Sequence, residues 1–215
     1  MKKLILPFCF ISAQLMAQSF DLVILNGKII DGTGNSWYYG DVGIRNGKIA
    51  AIGKLTNTQT KYVIPADGLI VAPGFVDVHT HIEGGETTTP TADNFIYDGV
   101  TSVVTGNCGG SNLDIAAYFK RLDSAKTSIN VASLIGHNTV RRAVMGDLQR
   151  DPTSEEQIKM EGLVEKAMKE GAVGMSTGLI YVPGTYSKTA EVVGLAKASS
   201  KYNGVYASHI RDEGD

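Results

Sequence analysis

The rhythm of apolar and polar positions changes once along this chain, near residue 67. Between residues 20 and 64, short β-rich runs alternate with turn signals. Residues 21–25 end at Asn26 and Gly27, residues 28–30 at Asp31 and Gly32, residues 42–45 at Asn46 and Gly47, and residues 48–52 at Gly53. Asn-Gly between apolar runs is a strong hairpin signal, because both residues tolerate the positive φ of tight turns. The pattern predicts a small antiparallel sheet. From residue 67 onward, apolar runs over residues 69–78, 101–105, 129–135, 172–179 and 205–210 alternate with helical stretches. Five such strands predict a parallel sheet covered on both faces, hence an α/β fold. The clearest helix spans residues 154–170, where Pro152 and Thr153 give a start signal. Ile158, Leu163, Val164, Ala167 and Met168 form its expected buried stripe.

The first residues follow neither pattern. Lys2 and Lys3 precede an apolar run over residues 4–16, followed by Ala17, Gln18 and Ser19. A basic start, a short apolar stretch and a small residue predict a secretory signal peptide over residues 1–18, rather than a buried strand or helix. The run falls short of the roughly 20 residues a spanning helix needs. The expected protein is therefore exported, periplasmic or secreted, and has no stable membrane association once the signal is removed. Removal leaves Cys108 as the one cysteine, which excludes an internal disulfide. With 43% hydrophobic and 20% charged residues the chain has enough apolar content for a core, and its net charge of -2 gives no reason to expect nucleic acid.

The four histidines and Cys108 are placed suggestively. His79 and His81 end the apolar run of residues 73–81, which reads as a buried strand. Side chains at i and i+2 in a strand share a face, so the two imidazoles can chelate one metal ion. The competing reading is a hydrogen-bonded pair of core histidines. Cys108 follows the strand at residues 101–105, among glycines that let the backbone approach a ligand. A lone thiol is more commonly buried and inert. His137 and His209 also stand at the ends of predicted strands. Arg141 and Arg142 read either as a clamp for a substrate carboxylate or as surface charge. Arg211, Asp212 and Glu213 either orient His209 or begin a loop, and Asp77 reads as a hydrogen-bonding partner near the site.

The motif GFVDVHTH, preceded by ILNGKIIDGTGN and DVGIRNGKIAAIG, resembles the amidohydrolase superfamily. The runs GVTSVVTGNCGGS, GHNTVRRAVMG, GAVGMSTGLIYVPGTYS and YASHIRDEG resemble its D-aminoacylase branch, the N-acyl-D-amino-acid deacylases. The resemblance implies an incomplete (β/α)8 barrel with about five strands over residues 67–215, and half of a small β-sandwich over residues 19–66. It implies that Cys108 and His209, with a ligand beyond residue 215, hold a tight zinc. His79 and His81 would share Cys108 with a second, weaker metal position. Tyr181 matches a position that lines the substrate pocket, where the plainer reading is a half-buried rim aromatic. The general base, an aspartate, is expected beyond residue 215, so residues 1–215 alone are expected to be inactive and poorly stable.

The implied substrate is a small N-acylated amino acid. Two alternatives stand beside this one. A cyclic-amide hydrolase of the dihydropyrimidinase type would carry a metal-bridging lysine after the fourth strand, where residues 172–179 have none. A non-catalytic metal- or ligand-binding barrel would lack the base altogether. Ile82 and Glu83 follow the histidine pair, where the family commonly has an acidic residue directly after it. Oligomeric state, acyl group and enantiomer preference do not follow from the sequence.

Overall fold

The computed structural model describes residues 19–56, 59–85 and 88–214; the predicted signal peptide, residues 1–18, lies outside them. The chain is mixed α/β and divides into two compact units after Pro73. Among the described residues no helix is long and apolar enough to cross a membrane.

The first unit is one sheet of β1 (Ser19–Ile29), β2 (Tyr38–Arg45), β3 (Lys48–Gly53), β4 (Gln59–Pro65) and the short β5 (Ile70–Val71). Its strand order is β3-β2-β1-β4, with β5 also pairing β1. The expected antiparallel pairing holds for β1–β2 and β2–β3, but β4 and β5 lie parallel to β1, so the sheet is mixed. Alternation along a strand specifies its two faces and leaves its partner open. The two Asn-Gly pairs also behave differently. Asn46 and Gly47, both at positive φ, turn β2 into β3. Asn26, with φ 59°, sits inside β1, where the register against β2 shifts between Ile24 and Gly27. That is a bulge rather than a hairpin. Its backbone N–H donates to the Asp41 carboxylate (2.9 Å) and its side-chain amide to Asp67 (3.1 Å). Phe20, Val23, Ile29, Val42 and Ala66 are buried in this unit.

The second unit is built on parallel strands. One sheet has the order β6-β7-β8, from β6 (Phe75–Asp77), β7 (Val100–Thr105) and β8 (Asn130–Ser133). The other has the order β11-β10-β9, from β9 (Ile135–Gly136), β10 (Gly174–Gly178) and β11 (Val205–His209). Leu134 alone separates β8 from β9; its N–H donates to Thr105 O, and the Val173 N–H to Ser133 O. Strand neighbours therefore follow chain order through both sheets. The connections carry α1 (Asp93–Ile96), α2 (Ile115–Ala125), α3 (His137–Met145), α4 (Ser154–Lys169) and α5 (Thr189–Ser200). Asp114 caps α2 by accepting from the Ala117 N–H, and Thr153 with Glu156 forms a capping box on α4.

Two expectations about burial are corrected here. On α4 the buried face is Met160, Val164, Ala167 and Met168, while Ile158 is exposed. Ile158 lies two residues before Met160, roughly 200° around the helix, so it cannot share that stripe. The apolar run over residues 69–78 is not one buried strand. It splits into β5 in the first unit and β6 in the second, and Phe75, Val76 and Val78 are 64, 60 and 67% exposed. Among the described residues, strand β6 has a hydrogen-bonded neighbour on one side only. An apolar pattern records that cover is favourable, and only tertiary neighbours supply it.

Candidate metal centre

The C-terminal ends of β6 and β7 bring three potential ligands together. His79 and His81 lie just past β6, and Cys108 lies three residues past β7. The rings of His79 and His81 stand edge to face, with centroids 5.5 Å apart. Cys108 Sγ is 3.4 Å from His79 Nε2, and one donor atom from each of the three residues lies within 4.8 Å of the others. Two ligands of a tetrahedral zinc, at about 2.1 Å for nitrogen and 2.3 Å for sulfur, are separated by about 3.5 Å. A donor set of two imidazoles and a thiol suits zinc, and the Cys108–His79 pair is already at nearly that spacing. The i, i+2 spacing does place the imidazoles side by side, although His79 sits in a bend after the strand and both are exposed. Burial, and after it the Glu213 carboxylate, push the Cys108 thiol above its ordinary value in the absence of a cation. The Asp77 side chain accepts the His79 backbone N–H (3.0 Å), which matches the supporting role expected of it.

The loop carrying Cys108 lies flat across the ends of the neighbouring strands. Cys108 itself adopts φ 52°. A Cβ on Gly136 would fall 2.2 Å from Gly109 O, and one on Gly178 would fall 2.0 Å from Cys108 O. Both strand ends must therefore be glycine for the loop to pass over them. Ser176 on β10 fastens the loop from below: its hydroxyl donates to Gly106 O and accepts the Gly109 N–H (3.0 Å). Gly178→Ala is expected to cost about 1–3 kcal/mol, the usual range for overpacking a tight site. Thermal unfolding of the variant beside the parent checks this, and an unchanged midpoint would show that the loop is free to lift.

His209, at the end of β11, stands outside the three-residue group. It pairs in register with Gly178, whose other neighbour is the Cys108 carbonyl, so one strand end links the two. Its ring meets Tyr181 edge to face at 4.8 Å, and its Nε2 lies 3.0 Å from Glu213 Oε1. Glu213 is thus the member of the Arg211–Glu213 stretch that orients His209. Arg211 instead donates to the carbonyls of Thr185 and Ser187. Tyr181 is half exposed beside His209.

His137 and Arg141 depart from expectation. His137 follows β9 as predicted, yet it opens α3 with its side chain fully buried and is not in the His79–His81–Cys108 group. Its Nε2 lies 2.8 Å from Glu191 Oε1; an ionised carboxylate only accepts, so this nitrogen carries the proton. Arg141, read as surface charge or a substrate clamp, is fully buried and paired with the other Glu191 oxygen, and it also donates to the Leu148 and Arg150 carbonyls. Arg142 is exposed and bonds Asp147 and the Val182 carbonyl. Glu191 has no marker in sequence, since it lies 54 residues from His137 and sits in the first turn of a helix with no motif around it. Glu83 and Ser176 were likewise invisible as partners of the Cys108 loop.

Comparison with known proteins follows the same lines. Residues 62–212 match the Amidohydrolase family, and residues 9–75 match the N-terminal domain of the urease alpha-subunit. D-aminoacylase of Alcaligenes xylosoxydans xylosoxydans is 38% identical over 226 residues, covering 94% of this chain and 47% of that protein. N-acyl-D-glutamate deacylase from Bordetella bronchiseptica, solved with zinc and a phosphonate mimic of the tetrahedral intermediate, is 40% identical. It aligns with a TM-score of 0.87 over 92% of this chain and 46% of that one. A D-hydantoinase aligns at 0.60 and 21% identity, over 88% of this chain and 40% of that one, which shows a shared fold. The chain spans about half the length of the curated relatives it matches.

Proposed function

Because the chain belongs to the amidohydrolase family, we propose that the protein is a zinc-dependent hydrolase of linear amide bonds that deacylates N-acyl-D-amino acids. One observation carries the reading: His79, His81 and Cys108 present their donor atoms within 4.8 Å of one another at the C-terminal ends of adjacent parallel strands. Active sites of barrel enzymes sit at that end of the strands. The similarity to a D-aminoacylase and to an N-acyl-D-glutamate deacylase supports the substrate class.

In this reading the five parallel strands are the first five of a (β/α)8 barrel, with β8 and β9 as one strand, and the first sheet is half of a β-sandwich. The supporting observation is that neighbours follow chain order throughout the second unit. Zinc, when bound, supplies Lewis acidity toward an amide carbonyl and a water molecule. Cys108 with His209 would hold the tighter ion, and His79 and His81 would share Cys108 with a second, weaker position. Ser176 keeps the Cys108 loop seated on the strand ends. Tyr181, beside His209, lines the approach for the acylated amino acid. Residues 1–18 direct export, on the strength of Lys2, Lys3 and the apolar run after them.

Two features favour this over the cyclic-amide alternative. Strand β10 and the residues around it carry no lysine to bridge two metals, and Cys108 stands in the ligand group instead. Paired assays of the full-length protein on N-acetyl-D- and N-acetyl-L-amino acids test the proposal. Zinc-dependent turnover of the D series, well above the L series, is expected. Equal rates on both, or turnover of a hydantoin in place of either, would overturn it.

A further inference from the structure

Glu83 lies two residues past His81, in a loop that the histidine pair leaves open. Its Oε1 accepts both the Thr105 hydroxyl (2.6 Å) and the Gly106 backbone N–H (2.6 Å). Thr105 ends β7, and Gly106 begins the loop that carries Cys108 two residues later. The same hydroxyl accepts the Ile82 N–H at 3.4 Å, and the Thr80 N–H and hydroxyl both donate to Val104 O at 3.1 and 3.0 Å. Thr105 is fully buried. A carboxylate accepting two short bonds in such a place is a strong tie, because charge-assisted hydrogen bonds are about twice as strong as neutral ones. This tie joins the segment bearing two ligands to the segment bearing the third.

We infer that Glu83 is a positioning residue for the metal centre: it sets the spacing of the His79–His81 segment against Cys108 before any ion arrives. The inference rests on the metal-binding reading proposed above. Without the tie, the Cys108 loop is still anchored from the β10 side by Ser176, but its relation to the histidine loop is left to the neutral Thr80, Ile82, Thr105 and Asn107 contacts, several of them at 3.4 Å. The histidine loop should then sample several spacings, and an ion must select among them. Removing groups that orient metal ligands typically weakens affinity about 10–100-fold.

The test is titration of the metal-free protein with Co2+, which gives a thiolate-to-cobalt absorption band only when Cys108 is a ligand. Thermal unfolding of the metal-free form is recorded alongside. Glu83→Ala is expected to bind Co2+ about 10–100-fold more weakly while still folding in the metal-free form, at a lowered unfolding midpoint. Glu83→Gln keeps an acceptor oxygen but makes neutral bonds, so a smaller loss of about threefold to tenfold is expected. Unchanged affinity in a folded Glu83→Ala overturns the inference. If Glu83→Ala fails to fold, Glu83→Gln decides, and wild-type affinity there overturns it. A wild-type protein without the thiolate band overturns the metal reading and this inference together, whereas a wild-type band with unaffected variants overturns the inference alone.

Discussion

Cys108→Ser is expected to lower the affinity for zinc by about 100-fold or more, and by more than His79→Ala does. Structural zinc sites bind with roughly 10–16 kcal/mol over about four ligands, so one ligand is worth about 3 kcal/mol, or about 100-fold. Cys108 should stand above that average and His79 below it. The thiolate is the one charged donor of the group, and it sits half-buried on a loop held by Gly136, Gly178 and Ser176. His79 is an exposed imidazole with His81 beside it to keep part of the contact. Serine preserves the size of the side chain, so the φ of 52° at residue 108 is not newly strained. Metal content after dialysis against a calibrated chelator, on wild type and both variants, reads the ranking. If His79→Ala loses more zinc than Cys108→Ser, Cys108 is not the shared ligand.

Glu191→Ala is expected to destabilise the protein by about 3–5 kcal/mol, the usual result of removing one partner from a buried ion pair. Its carboxylate is the acceptor for both His137 and Arg141, and the latter is fully buried. Without it, the Arg141 guanidinium keeps only the Leu148 and Arg150 carbonyls, as a buried charge with no counterion. For a chain of this size that is a fall of roughly 6–20 °C in unfolding midpoint. The acid side gives a second signature. Burial works to raise the Glu191 carboxyl, but the hydrogen bonds from His137 and Arg141 outweigh it and hold the group below its ordinary value of 4.5. A carboxyl lowered by folding contributes stability that is fully present above the unfolded value and is lost as pH falls through the folded one. Wild type should therefore lose stability below pH 4.5 more steeply than Glu191→Gln. Urea unfolding at neutral and acid pH measures both effects, and equal acid sensitivity in the two proteins would show that the triad contributes nothing.

The candidate group of His79, His81 and Cys108 was legible before any fold was known because its signals are short-range. His79 and His81 are separated by one residue, and Gly106, Gly109 and Gly110 frame Cys108 within the same short stretch. The parallel α/β character of the second unit was legible too, since apolar runs and helical stretches alternate in plain view. Strand partners in the first sheet were not. Nothing local distinguishes a β4 that extends the meander from one that returns to lie parallel to β1, nor an Asn26 that bulges from an Asn46 that turns.

Chemistry-bearing side chains divide in the same way. By itself the sequence determined the place of His79, His81, Cys108 and His209 at or just past strand ends and the α/β alternation, because periodicity and motif spacing act over a few residues. Only the tertiary structure decided that His137 turns into the core, that Arg141 is buried, and that Glu83 reaches the Cys108 loop. Each of those outcomes depends on a partner 22 to 54 residues away. A residue's type states which bond it can make, and the path of the chain decides which bond is within reach.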